Sequence, residues 1–251
     1  MFDITVSDGV TRIGRSNTRW LSTGHDGGIA TGPAAYNCTV PDDWDRTDLD
    51  AYVAERLAAA DFEPHGPTLL TGVDQRHARR AHLGAVEAVA TAGLSNPAAL
   101  PVDGVVNRPD AADTAGSPPT ADATTDSVSD SDARNVGTVN VVVGTTRALA
   151  PGALANLLTV AAEAKAATLS VLAGVPGTTT DAMIAACDPA GDPTRFSGSA
   201  TAVGTAARAC VRDAVAASLA ARYPDGDYGA AETGVVTDER AAVSALPTPD
   251  H

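Results

Sequence analysis

The stretch "VGTVNVVVGTTRALAPGALANLLTVAAEAKAATLS", residues 136–170, decides the fold. Its first part, residues 136–146, is rich in β-branched residues and predicts a buried strand. Pro151 suits the first turn of a helix, and the segment after it repeats apolar residues at helical spacing. A buried strand followed closely by a long helix indicates a domain in which helices pack on a sheet.

The helix contains Lys165, the only lysine of the 251-residue chain. On a helical wheel it falls within about 60° of Leu154, near the centre of the apolar stripe. The same stripe includes Leu158, Ala161, Leu169 and Leu172. The simplest interpretation is a lysine stem that lies along apolar surface with its ammonium in water. Because arginine supplies all the other basic residues, we instead expect Lys165 to be half of a buried ion pair or a site residue.

The composition is strongly acidic, with 31 Asp and Glu against 17 Lys and Arg and a formal net charge of −14. Such a lysine-poor, acidic chain resembles the proteins of extreme halophiles, in which a large net charge maintains solubility. At molar salt the Debye length falls to roughly 3 Å, so the repulsion is screened. The absence of a basic stripe argues against a nucleic-acid partner. No apolar run reaches the roughly 18 charge-free residues of a membrane span.

The three cysteines, Cys38, Cys187 and Cys210, have no CxxC spacing. An odd number of cysteines favours reduced thiols, and the N-terminal stretch has neither the basic nor the apolar region of a secretory signal. We therefore expect a cytoplasmic protein.

The rest of the chain predicts a single α+β domain over residues 1–223, with helices packed on a mixed sheet. Further strands are expected at 4–13, 18–24, 28–41, 68–74, 84–96 and 180–189, and further helices at 45–62 and 201–222. Residues 103–135 are rich in Asp, Ser, Thr and Pro, which predicts a disordered acidic insertion. The tail, 224–251, is expected to be acidic and flexible.

Four polar residues, Asp74, Asn96, Asn140 and Asp181, each lie at or just beyond a predicted strand or beside a glycine turn. Ordinary turn chemistry explains any one of these residues by itself. Together they favour a site, because binding and catalytic residues collect on the connections that a rigid sheet positions.

Six segments together resemble the adenosylcobinamide amidohydrolase family of cobamide salvage. They are "RWLSTGHDGG", "YNCTVP", "LLTGVDQRHARR", "VEAVATAGLSNPA", "GTVNVVVGTTRALAPGALANLLTVAAEAKAATL" and "GTTTDAMIAACDP". The resemblance covers residues 4–100 and 136–222. Where the family pattern has His-Thr before the last helix, this chain has Ala200 and Thr201, which argues against a mechanism that needs a histidine there.

The resemblance implies hydrolysis of the amide that joins the aminopropanol arm to the corrin ring. The products would be adenosylcobyric acid and 1-amino-2-propanol. The corrinoid would be the substrate, and we expect no resident cofactor. The spacing of His77 and His82 is unsuited to a helical metal site, and neither HExxH nor GxSxG occurs. The sequence leaves open whether the chain forms a homo-oligomer.

Amide hydrolysis needs an attacking group, a stabilised oxyanion and a protonated leaving amine. The expected catalytic residues are Lys165, Asp181, Asp74 and Thr180, with no metal. The expected substrate-binding residues are His25, Asn37, Asn96, Asn140 and Thr178. An aspartate would orient water or activate a threonine, Lys165 or an asparagine would stabilise the oxyanion, and His25 is a further candidate for the proton relay.

Three alternatives stay open from the sequence. Lys165 could form a purely structural ion pair with Asp74 or Asp181. The chain could bind a corrinoid without hydrolysing it. The segments "GTTTDA" and "SGSATAVGT" could handle phosphate, although no complete GxxxxGK[ST] motif occurs.

Overall fold

A computed structural model describes residues 1–41, 46–101, 137–226, 228 and 234–246. The expected insertion at 103–135 lies outside these residues, as do 227, 229–233 and 247–251 of the expected tail. The strands within the described ranges are β1 (Asp3–Ser7), β2 (Val10–Ser22), β3 (Gly28–Thr39), β4 (Thr68–Thr71), β5 (Arg79–Leu83), β6 (Val86–Ala92), β7 (Pro97–Ala99), β8 (Val139–Thr145), β9 (Ala148–Leu149), β10 (Gly177–Thr178), β11 (Met183–Cys187), β12 (Pro193–Thr194) and β13 (Val235–Val236). The helices are α1 (Leu49–Ala59), α2 (Pro151–Ala173) and α3 (Ala202–Arg222), and a short 3₁₀ turn spans Gln75–His77.

The main sheet has the order β4-β3-β2-β11-β8-β6-β5, and β1 pairs with β2. The pairs β3–β4 and β8–β11 are parallel, whereas the other neighbours in this sheet are antiparallel. Strand β7 lies between β10 and β13 in a smaller sheet. The predicted α+β class, with a mixed sheet and packed helices, is confirmed. The division into a domain of 1–223 and a tail stays a prediction.

The parallel pair β8–β11 positions the helix that carries Lys165. Two parallel neighbours need a crossover, because the chain must return to the end from which the first strand started. Helix α2 makes this return over 23 residues, a length of about 34 Å at the usual helical rise. The second half of α2 therefore runs past the ends where β8 and β11 begin.

The sheet curls strongly, so that its β4 edge approaches β8 across three intervening strands. The side-chain amide of Asn140 on β8 donates to the carbonyl oxygen of Leu70 on β4 at 2.9 Å. The inside of the curl holds an apolar cluster of Phe2, Ile13, Trp20, Ala35, Leu69, Val89, Val142, Ile184 and Ala186. The alternate residues of β6, β8 and β11 face outward and form the larger core with α2 and α3.

Helix α1 covers the opposite side of β3. Its Leu57, with Ala60 just beyond it, packs against Val10, Tyr36 and Cys38. Asp48 caps this helix by accepting a hydrogen bond from the backbone N–H of Ala51 at 3.0 Å. Among the described helices, none has the length and apolar content needed to cross a membrane.

Two parts of the sheet differ from the sequence prediction. The strand expected over 4–13 is a hairpin, because Asp8 and Gly9 both have positive φ (41° and 71°), as a tight two-residue turn requires. Strand β2 then continues to Ser22 through an irregularity between Gly14 and Thr18, so it absorbs the strand expected at 18–24. Strand β5 was not predicted, since its segment "RRAHL" is polar and pairs at a sheet edge.

Candidate active site

Lys165 forms an ion pair with Asp181, through Nζ and Oδ2. The two side chains are only 12% and 10% exposed, so both charges are largely removed from water. The expectation of a buried ion pair is confirmed, and Asp181 is the partner. The expected position near the centre of the apolar stripe is wrong: Lys165 lies at the border of the buried face of α2, since Ala161 and Leu169 are buried whereas Leu172 is exposed.

The Asp181 carboxylate accepts hydrogen bonds from three further donors. Oδ1 accepts from the backbone N–H of Val139 at 2.8 Å and from the Thr178 hydroxyl, and Oδ2 also accepts from the backbone N–H of Thr178 at 3.0 Å. Two donors on each oxygen occupy the usual acceptor sites of a carboxylate. The carboxylate is therefore held in one orientation and organises the residues around it.

The loop between β10 and β11 carries the exposed hydroxyls of the site. Thr180 Oγ1 lies 2.9 Å from Thr138 Oγ1, and Thr138 is itself buried. The neighbouring Thr179 accepts from the side-chain amide of Asn96 at 2.6 Å, and its N–H donates to the Asn96 carbonyl. The loop is thus fixed on both sides while Thr180 stays accessible.

Asn37 and Asn140 form a buried polar network beneath this loop. Asn140 donates to Asn37 Oδ1 at 2.9 Å, and Asn140 Oδ1 accepts from the backbone N–H of Ala182 at 3.2 Å. Asn37 in turn donates to Thr91 Oγ1 at 3.0 Å. With exposures of 3% and 1%, the two asparagines support the site from below. Their expected contact with substrate stays a prediction.

A cavity of about 400 Å³, the inner cavity, opens onto the loop. It is lined by Thr23, Gly24, His25, Val40, Leu49, Leu70, Thr71, Thr138, Thr180, Asp181 and Ala182. Lys165 lies immediately behind Asp181. His25 faces this space, and its Nε2 is paired with Asp50 Oδ1 at 2.7 Å. The structure therefore brings Thr180, Asp181 and His25 to one cavity, with a second carboxylate orienting the histidine.

Asp74 lies elsewhere, in what we call the basic cleft: Thr39, Val40, Pro41, Gly72, Asp74, Arg76, His77, Arg222 and Tyr223. It caps the 3₁₀ turn by accepting from the Arg76 N–H at 2.8 Å. Desolvation, with further contributions from the charges of Arg76 and Arg222, lowers the pKa of His77. Lys165 pairs with Asp181 and not with Asp74. The catalytic role expected for Asp74 finds no supporting contact with the other candidates.

Sequence reasoning missed four contributors to this region. Asp50 falls within the helix predicted at 45–62, and neither Thr138 nor Gln75 belongs to a recognised catalytic motif. Gln75 Oε1 accepts from Thr11 at 2.7 Å and also from Asn37 at a longer 3.4 Å. Gly177 is the first residue of the segment "GTTTDA", which by itself does not indicate the ion pair. Thr91, a polar residue in the fully buried strand β6, was the one signal that could have pointed to the buried network.

The cysteines are not candidates for the attacking group. Burial raises the pKa of Cys38 to about 12 and that of Cys210 to about 11, and it also raises the pKa of Cys187. All three are free and buried, so they stay as unreactive thiols near neutral pH. In the part of the chain that the structure describes, no three His, Cys, Asp or Glu side chains are grouped so as to hold a metal ion.

Gly177 allows the ion pair to form, and we predict that a methyl group there destabilises the protein. A Cβ at this position would lie 2.6 Å from Asp181 Oδ2 and 2.9 Å from Lys165 Nζ. Gly177→Ala should therefore lower the free energy of unfolding by about 1–3 kcal/mol. The matched control is Gly152→Ala in α2, where nothing lies within 4 Å of the added Cβ. Denaturant titration measures both, and equal stability of the two variants would show that the pair tolerates the extra volume.

Comparison with known proteins gives a family and a relative. The family model "Adenosylcobinamide amidohydrolase" matches residues 7–227. A Halobacterium salinarum protein described as an adenosylcobinamide amidohydrolase is 51% identical over 251 residues, covering 97% of this chain and 99% of the relative. Among solved structures, a Burkholderia sp. beta-aminopeptidase superposes with a TM-score of 0.40 at 15% identity, covering 86% of this chain and 80% of the other.

Proposed function

The chain belongs to the adenosylcobinamide amidohydrolase family, and we propose that it hydrolyses its corrinoid substrate in the inner cavity, at the loop that carries Thr180 and Asp181. The resemblance identified from the sequence is confirmed. The alternative of a corrinoid-binding protein without hydrolysis is not supported, because the family and the relative are both amidohydrolases by name. The observation that carries the proposal is the shielded Lys165–Asp181 pair behind an accessible hydroxyl.

The bond cleaved is, in this proposal, the amide between the aminopropanol arm and the corrin ring. A cavity of about 400 Å³ lies near the lower end of the roughly 300–1,000 Å³ typical of ligand sites. That space suits a slender arm with its amide group but is too small for the macrocycle. The products are adenosylcobyric acid and 1-amino-2-propanol.

The first half of the reaction uses Thr180 as the attacking group. Its Oγ adds to the amide carbon while the hydroxyl proton passes to the Nδ1 nitrogen of His25, whose other nitrogen is held by Asp50. The carbon–nitrogen bond then breaks, and the proton moves from His25 to the leaving amine. The result is an ester between Thr180 and the corrinoid carboxyl group, together with free aminopropanol.

The second half repeats these steps with water. Water adds to the ester carbon and gives its proton to His25, after which the carbon–oxygen bond to Thr180 breaks and His25 returns the proton to Thr180. The free acid leaves, and the enzyme is restored. Across both halves, one water molecule is consumed for each amide cleaved.

Lys165 supplies positive charge at the carbonyl group. Its ammonium has three donors, and the described hydrogen bonds use one of them, on Asp181. In the substrate complex a second donor would reach the amide oxygen, where negative charge develops during both additions. Because the pair is shielded from water, this charge acts more strongly than it would at the surface.

Product analysis tests the proposed reaction. The purified protein is incubated with adenosylcobinamide in concentrated salt and oxygen-18 water. We expect free 1-amino-2-propanol in the same molar amount as the new acid, with label in the carboxyl group. A shifted corrinoid spectrum with intact substrate would instead indicate binding without hydrolysis, and release of any other fragment would place the cleaved bond elsewhere.

We also propose that the enzyme works in the cytoplasm. All three cysteines are free and buried, which is usual for a protein of a reducing compartment. The corrinoid is its small-molecule partner, and the net charge of −14 is unfavourable for nucleic acid.

A further inference from the structure

A second and larger cavity adjoins the inner cavity. This outer trough has a volume of about 810 Å³ and is lined by residues 25–33 and 64–68 together with Asp50 and Val53. The two cavities share His25, so they lie next to each other at this side chain. Its size lies in the upper part of the roughly 300–1,000 Å³ range of ligand sites.

One wall of the trough is a strand with a free edge. Strand β3 pairs with β2 along residues 28–32 and again from Ala34, but its pairing with β4 begins only at Tyr36. Over the first half of β3, the backbone groups that point away from β2 have no partner strand in the described structure. The Gly32 carbonyl accepts from the Trp20 indole N–H at 3.1 Å and Pro33 has no N–H, so it is the backbone of residues 28–31 that can bind the amides of a ligand.

One part of the trough wall also has no side chain. Gly28 begins β3 and nothing would lie within 4 Å of a Cβ there, whereas a Cβ at Gly27, Gly32 or Gly66 would meet the protein's own backbone within 3 Å. Ile29, between two of these residues, leaves 71% of its surface exposed. At Gly28, which has no side chain, a flat ligand can approach the backbone closely. The exposed Ile29 adds an apolar contact for such a ring.

The charge of the trough is negative. Asp26 and Asp50 contribute carboxylates, and no lysine or arginine is among the lining residues. Adenosylcobinamide is a cation, since the charge of cobalt(III) exceeds the negative charges of the corrin ring and the adenosyl carbon. The basic cleft also adjoins the inner cavity, at Val40, but it holds Arg76 and Arg222 and would repel a cation.

We propose that the outer trough binds the corrin ring of adenosylcobinamide, with the peripheral amides of the ring along the free edge of β3 and its positive charge facing Asp26 and Asp50. This inference rests on the proposed function, because the aminopropanol arm must then extend past His25 into the inner cavity. The trough, and not the basic cleft, sets which corrinoids are accepted.

Equilibrium dialysis of adenosylcobinamide tests this directly. Binding is measured in the Lys165→Met background, so that the ligand stays intact. Thr31→Trp places a bulky side chain at an exposed position of the trough wall that a strand tolerates, and we expect Kd to rise at least about tenfold. Unchanged Kd with Thr31→Trp would overturn the proposal.

Asp26→Asn is the second variant. It tests whether the outer trough binds the corrin ring even if Thr31→Trp fails to fold. Asp26 has a positive φ of 50°, which asparagine tolerates. We expect a rise in Kd of about two- to fivefold that shrinks as salt increases, since added ions screen the lost attraction. The matched control is Asp61→Asn, another exposed aspartate with positive φ (61°) that does not line the trough.

The basic cleft provides the opposing control. Arg76→Gln removes an exposed charge there and should not raise Kd. A raised Kd for Arg76→Gln together with a wild-type Kd for Asp26→Asn would overturn the proposal in favour of the cleft. Failure of the proposed catalytic mechanism is distinguishable: the Lys165→Met protein would then hydrolyse its ligand, and the trough variants would still raise KM when compared in the wild-type background.

Discussion

Replacing Lys165 by methionine is expected to lower kcat/KM for adenosylcobinamide by about 10³-fold. Methionine is close to lysine in length and fills the same space, so the loss reflects the missing charge. The free energy of unfolding should also fall, by about 3 kcal/mol, because the largely buried Asp181 carboxylate loses its cationic partner. Initial rates at a salt concentration where the variant is fully folded, together with denaturant titration, measure the two effects separately.

A double variant separates catalysis from structure. Combining Lys165→Met with Asp181→Asn removes both charges and should regain part of the lost stability, since no unpaired carboxylate stays buried. Activity should not return, because no positive charge faces the amide oxygen. If the double variant recovers activity along with stability, the pair is only structural, which is the simpler alternative from the sequence. If Lys165→Met folds normally and hydrolyses at the wild-type rate, the catalytic role is excluded.

Replacing Thr180 by valine is expected to lower kcat by at least about 10³-fold, because valine has the shape of threonine without the attacking oxygen. Thr180→Ser keeps the hydroxyl and should retain activity within about tenfold. Single-turnover experiments with the serine variant should also detect the ester, as corrinoid that stays bound to the denatured protein.

The neighbouring threonine gives the control for this substitution. Thr179 lies one residue away, is also exposed, and accepts from Asn96. Thr179→Val should therefore change kcat by less than about tenfold, since it only loosens the loop. Wild-type activity of Thr180→Val would mean that water attacks the amide directly, and Thr180 would then be a positioning residue.

Much of the architecture could be predicted from local patterns. The strand at 139–145 and the helix that starts at Pro151 follow from β-branched residues and helical spacing, and the structure has both. The helix expected at 201–222 is α3, capped by Thr201. These elements repeat one preference over many residues, so each is determined within its own segment.

The predictions that the structure contradicts also have physical explanations. The hairpin at Asp8 and Gly9 was missed because the residues on both sides of its turn form one continuous β-rich segment. Strand β5 was missed because it is an edge strand, and its polar residues need no buried face. The polar strand ends indicated a site, but the predicted set included Asp74, which lies in the basic cleft. A spacing of residues along the chain does not say which strand ends meet.

The sequence by itself determined the family, the acidic surface, and the fact that its single lysine would face inward. It could not decide between Asp74 and Asp181 as the partner, because each lies at one end of a strand-like segment near a glycine turn. Tertiary structure decided this through the parallel pairing of β8 with β11, which brings the start of β11 alongside α2. It likewise joined His25 to Asp50 and Asn37 to Asn140, residues that lie 25 and 103 positions apart. Such contacts depend on how the sheet curls, and no local propensity in the chain encodes that.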